Sequence, residues 1–182
     1  AEAATAAEAE FAAMAILVLA MRQGYQSAIQ DVHRSLPPSV RRSPEVSLAL
    51  DLALCIDDSS PTGVNYARFF ARLRDPATPY LLCCLAHQHF SRVRRVALEM
   101  LAATQESKEG SGGIPVARLV RALGYDDEDH CREALELVGI PVRGGVAYVA
   151  KVKLGEAKSF ELVDARRVRY IDAKMPSCSP AE

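Results

Sequence analysis

Cys83, Cys84 and His87 place two thiols and an imidazole within five residues, with His89 just beyond. In a helix, Cys83 and His87 lie four apart on one face, which is half of a tetrahedral metal site. The other half is missing. Leu81, Leu82 and Leu85 surround these thiols, and in such company a free cysteine behaves as a small hydrophobe, so they are expected in a core. His130-Cys131 makes a weaker nucleophilic dyad still, because adjacent helical residues point in different directions. Gly110, Gly112 and Gly113 follow no strand and precede no Lys-Ser/Thr pair, so they read as a linker and not as a phosphate loop. No catalytic residue, metal or cofactor is assigned. A metal- or thiol-dependent hydrolase on Cys83, Cys84 and His87 stands as the alternative function class.

Charge carries more information. The 182 residues have a formal net charge of −1, so no global basicity points to nucleic acid, but the charges are segregated. Tyr66 to Arg95 holds six arginines and the single acid Asp75, whereas Asp126 to Glu136 holds six acids and one arginine. A helix opening on Asp126-Asp-Glu-Asp would repel phosphate, so docking through it is excluded. Arg92 and Arg95, at i and i+3 on a helix carrying Val93, Val96 and Met100 on its other side, can present cations without disturbing a core. With Arg94, with Lys151 and Lys153 alternating in an extended segment, and with Arg166, Arg167 and Arg169 in the tail, they form the candidate nucleic-acid surface. Without base-reading groups beside them, binding to RNA or single-stranded nucleic acid is expected to be weak, sequence-tolerant and salt-sensitive. The alternative is that Arg92, Arg94 and Arg95 are solvated or paired with Glu99.

These groups need elements to position them, and the apolar periodicity supplies helices. Tyr66, Phe69, Phe70 and Leu73 stand at i, i+3, i+4 and i+7 and are expected as core; the alternative, a base-stacking platform, does not suit an apolar face. Arg68, Arg72 and Arg74 project elsewhere, toward water or something acidic. An alanine-rich helix covers residues 1–22, and a second runs from Tyr25 to Leu36, stopped by Pro37-Pro38. Ser43 and Pro44 open a third. Ser60-Pro61 is expected to open the aromatic helix, Thr78-Pro79 the helix Tyr80–His89, and Ser91 the next. Six helices in pairs predict a right-handed stack. Thr104–Gly113 lacks apolar residues and is expected to be a linker. Beyond it come a short helix closed by Gly124, a helix capped by Asp126 or Asp127 and closed by Gly139, and a hairpin turning at Gly144-Gly145. That is a winged-helix pattern. The division predicted is 1–103 helical, 104–113 linker, 114–152 winged helix and 153–182 a basic extension, largely irregular against the wing and fraying after about Met175. Leu137, Arg143, Val146 and Tyr148, on and beside the hairpin, are the candidate partner contacts, because a short ribbon leaves an edge unpaired.

Composition bounds the class. Hydrophobic residues at 49% and charged residues at 25% suit a globular chain. Five cysteines with no C-x-x-C spacing suit a reducing compartment. The longest apolar run, Phe11–Met21, is too short for a membrane span, and no targeting segment is seen. With no initiator Met, the chain is expected to be a piece of a longer one.

The residues also carry a resemblance. NYARFF, followed by PYLLCCLAHQHFSRVRRVALEML, with EFAAMAILV and SLPPSVRRSPEVSLALDLA upstream and RRVRYIDAK downstream, resembles the core of the Sac-three/GANP family over roughly residues 10–174. The insertion IDDSSPTG at 56–63 departs from it. The resemblance implies a mainly α chain, a PCI-type helical stack followed by a winged-helix subdomain with a small β-hairpin. It implies a non-enzymatic scaffold of a nuclear mRNA-export assembly at transcription sites and nuclear pores, a hetero-oligomer with a second PCI-domain subunit and a small acidic protein. A proteasome-lid-like or centrosome-linked PCI scaffold is the alternative.

Overall fold

The computed structural model describes residues 2–20, 26–57, 63–106, 113–149 and 168–176. Among these, the elements in chain order are α1 (Glu2–Ala20), α2 (Gln26–Ser35), α3 (Pro38–Arg41), α4 (Pro44–Cys55), α5 (Tyr66–Arg74), α6 (Tyr80–His87), α7 (Phe90–Glu106), β1 (Ile114–Pro115), α8 (Val116–Leu123), α9 (Glu128–Leu137), β2 (Val142–Arg143), β3 (Val146–Ala147) and α10 (Arg169–Asp172). The fold is mainly α with one small sheet. Its strands are antiparallel in the order β1-β3-β2, with Ile114 opposite Ala147 and Arg143 opposite Val146.

Local chemistry explains most boundaries. Ser43 accepts the Val46 amide at 3.3 Å and Pro44 occupies the first turn of α4, as expected. The aromatic helix α5 is capped by Asn65, whose side chain accepts from the Arg68 amide at 3.1 Å. Ser60-Pro61 therefore does not open it directly, and that pair lies outside the described residues. Asp127 caps α9 by accepting the His130 amide at 2.8 Å. Gly144 and Gly145 both have positive φ, 56° and 76°, which a two-residue hairpin turn of the primed type requires. The helix α7 reaches Glu106, past the expected end of the helical part at 103 and into the stretch read as linker.

Two apolar clusters form the interior. In the first, α1 lies along α4 and also touches α2, α3 and α6. Ile16, Leu17, Val46, Leu52, Phe69, Phe70, Leu82 and Phe90 are buried there. Phe69 and Phe70 are buried as predicted with Leu73, while Tyr66 is half-buried and touches both clusters. Phe90 completes a group of three rings, edge to face, with centroids 5.0 Å from Phe70 and 6.0 Å from Phe69. The second cluster gathers Ala97 and Leu98 of α7 with Val116, Leu119, Leu123, Leu135, Ile140 and Ala147. Because α7 feeds both clusters and α5 packs on α8, the two halves are joined along a continuous apolar seam.

Of the extension expected to be irregular against the wing, residues 153–167 and 177–182 lie outside the described residues; the rest includes α10, which packs on α5 and α6. Val168 and Ile171 are buried in the first cluster. Lys174 Nζ donates to the carbonyls of Asp75 and Thr78 at 2.5 and 3.2 Å.

His89 is 5% exposed, and burial, aided by Arg92, lowers its pKa from 6.5 to about 4. The folded chain thus holds His89 neutral while the unfolded chain protonates it near 6.5. The unfolded state binds more protons between those values, so stability should fall as pH drops through that window. His89→Gln should flatten part of the slope of thermal midpoint against pH; an unchanged slope would place the titration elsewhere.

Candidate partner and nucleic-acid interfaces

The arginines read as one basic surface serve different ends. Arg94 is 1% exposed. Its Nε donates to the Leu123 carbonyl at 2.8 Å and its Nη2 to the Gly124 carbonyl at 2.7 Å. The guanidinium lies 4.1, 5.0 and 5.6 Å from the ring centres of Tyr125, Phe90 and Phe70. An interior arginine cannot face a phosphate backbone, so Arg94 leaves the nucleic-acid set. Its role follows from the end of α8, whose last carbonyls lack intrahelical donors and carry the negative end of the helix dipole. Arg74 serves the same end, donating to Val120 and Tyr125 carbonyls at 3.0 and 2.6 Å while lying 5.4 Å from the Tyr170 ring. Two arginines of the helical stack thus hold the C-terminal end of α8.

Arg95 pairs with Glu99 at 2.9 Å, both exposed, as one alternative foresaw. Arg92 is half-buried. On the same helix Met100 is 40% exposed, so the apolar side of α7 runs through Val93, Ala97 and Leu98. Arg169 also differs from expectation. It lies beside the acidic helix, with its amide on Asp126 at 3.1 Å and its guanidinium 3.4 Å from the Asp127 carboxylate. The cap bond from the His130 amide, with Arg169 nearby, holds the exposed Asp127 carboxyl below its usual pKa. Lys151, Lys153, Arg166 and Arg167 lie outside the described residues. Arg68 and Arg72 share Asp51 of α4, at 2.6 and 2.7 Å.

The hairpin residues are open. Leu137 and Tyr148 are 56% and 43% exposed. Arg143 is exposed and Val146 half-buried. The edge on the hairpin side is β2, since β3 pairs on both sides; β1, which periodicity did not indicate, is the other edge.

The thiol and imidazole groups are occupied in packing. Cys83 is fully buried with Sγ 3.8 Å from the Leu73 carbonyl, and burial raises its pKa. The His87 ring sits edge-on to Phe90 at 4.7 Å, and burial, then Arg94, lowers its pKa. Cys131 is buried in the second cluster, its pKa raised to about 12 by burial. Among the described residues no three His, Cys, Asp or Glu side chains converge as a metal site requires, and no helix is long and apolar enough to cross a membrane.

Similarity to known proteins agrees with the residue pattern. The model of the SAC3/GANP family matches residues 1–144. Protein xmas of Drosophila melanogaster is 25% identical over 144 residues, covering 75% of this chain and 7% of that protein. SAC3 family protein B of Arabidopsis thaliana is 31% identical over 118 residues, covering 63% of this chain and 6% of that protein. The chain thus corresponds to a small part of the curated relatives it matches. Its match extends from α1 to the hairpin turn and takes in most of both apolar clusters: the chain belongs to the SAC3/GANP family.

Proposed function

We propose that this chain is the PCI module of a non-enzymatic scaffold in nuclear mRNA export, acting where transcription and the nuclear pore meet. The family match over residues 1–144 carries this reading. The succession β1, α8, α9, β2, β3 has the order of a winged helix, following a helical stack as in a PCI domain. A second PCI subunit and a small acidic protein are the partners proposed. Depleting the protein from cells that make it should retain polyadenylated RNA in the nucleus. Normal RNA distribution with altered proteasome-lid or centrosome assemblies would favour the alternative PCI reading.

The second PCI subunit is proposed to meet the hairpin face, through Leu137, Arg143, Val146 and Tyr148. Exposed apolar side chains beside a short edge strand support this. Tyr148→Asp, or charge reversal at Arg143, should weaken heterodimer formation about tenfold or more while the helical part stays folded. Unchanged association in a pull-down would move the interface to the stack.

Nucleic acid is proposed to use Arg92 and Arg95, joined by Lys151, Lys153, Arg166 and Arg167, without Arg94, which is interior, and without Arg169, which lies against the acidic helix. Affinity for single-stranded RNA should fall steeply with salt. Arg92→Glu with Arg95→Glu should flatten that dependence by roughly one to two in logarithmic slope, whereas neutralising Asp126, Asp127, Glu128 and Asp129 should leave binding unchanged or slightly stronger. Loss of binding on altering the acidic helix, with none on reversing the arginines, would put nucleic acid on the other face.

A further inference from the structure

The seam between α5 and α8 opens outward into a groove of about 520 Å³, lined by Ala67, Pro115, Ala117, Arg118, Arg121 and Ala122. Its apolar lining is small. Methyl groups and a proline ring leave a concave floor where a partner's helix can come close and insert larger side chains. Two cations line it, both on α8; the α5 arginines Arg68 and Arg72 are outside its lining and share Asp51 of α4. On the α8 side, Arg118 and Arg121 stand three apart, one helical turn, and both are exposed. Neither guanidinium has an ion pair or hydrogen-bond partner among the described residues. They form a short positive edge beside an apolar trough.

From this we infer that the α5–α8 groove docks an acidic amphipathic helix of a protein partner, its apolar side chains on the alanine floor and its carboxylates on Arg118 and Arg121. Charge complementarity selects the acidic class. The floor selects a protein over nucleic acid, because among the described residues no aromatic ring, amide or hydroxyl side chain lines the groove to stack on or read a base. The inference rests on the scaffold reading only in taking the occupant to be a protein, and its groove adjoins the hairpin through Pro115, which pairs with Val146, while leaving out Leu137, Arg143 and Tyr148.

The test is a titration of the isotope-labelled chain, followed through its backbone amide signals. The probe is a synthetic peptide of about 18 residues, long enough to form a helix, with leucines at helical spacing on one face and glutamates on the other. Its two controls are the same peptide with lysines for glutamates and an oligouridine. The acidic peptide should shift Ala67, Ala117 and Ala122 and leave the Leu137 and Tyr148 signals in place. Arg118→Glu with Arg121→Glu should weaken it about tenfold, and the lysine peptide should not bind. Ala117→Trp, which fills the trough at an exposed position without changing charge, should also block binding. The inference is overturned if the acidic peptide shifts none of these amides, if oligouridine shifts them instead, or if Ala117→Trp binds the peptide as the wild type does. Failure here leaves the export reading standing, since RNA retention and partner recovery do not depend on this groove.

Discussion

Arg94→Ala should destabilise the chain by about 3–5 kcal/mol, the sum of stranded buried acceptors and a cavity. Two causes add. The carbonyls of Leu123 and Gly124 lose donors at 2.8 and 2.7 Å, and a buried acceptor left without a partner costs about 1–3 kcal/mol. The vacated space, bounded by Tyr125, Phe90 and Phe70, adds a cavity cost. Desolvation of the native guanidinium works in the opposite direction and keeps the sum from rising further. Arg94→Lys should rescue little, because an ammonium cannot span two carbonyls while stacking flat on a ring. Urea denaturation measures both. A wild-type midpoint for Arg94→Ala would mean the side chain is free of the interior.

Phe70→Ala should cost about 3–5 kcal/mol as well, against a total stability of about 5–15. The ring is completely buried, meets Phe69 and Phe90 edge-on at 5.2 and 5.0 Å, and lies under Arg94. It also dictates its neighbour across the seam. Gly124 has φ +68°, and a Cβ there would stand 2.2 Å from Phe70 Cδ1, so glycine is needed for conformation and for space. Gly124→Ala should therefore cost about 1–3 kcal/mol through crowding, plus about 1 from the left-handed backbone, and the crowding part should vanish in a Phe70→Ala background. Additive effects of the two changes in thermal denaturation would contradict that contact.

The sequence made the helices legible because their apolar residues repeat locally. Phe69, Phe70 and Leu73 announce their burial within one turn, and Ser43-Pro44 and Asp127 announce helix starts. Arg94 could not be recognised the same way. A periodic pattern scores arginine as polar, and its acceptors lie 29 and 30 residues along the chain, so only the fold reveals that α8 presents its bare carbonyls there. Asn65 was hidden by a competing start signal at Ser60-Pro61. The placement of α10 rests on Lys174 reaching carbonyls 96 and 99 residues away, beyond any local pattern. Of the candidate surfaces, the hairpin face was readable because Gly144-Gly145 fixes the turn. The basic surface was only partly so, since charge segregation along a chain does not say which arginines turn inward.

The most direct test of the scaffold reading is affinity purification of the tagged full-length protein from nuclear extract, followed by mass spectrometry, beside the Tyr148→Asp variant. The scaffold should recover one second PCI-domain subunit in equal amount together with mRNA-export and nuclear-pore proteins, and the variant should lose that subunit. Recovery of proteasome-lid or signalosome subunits in their place would contradict that reading.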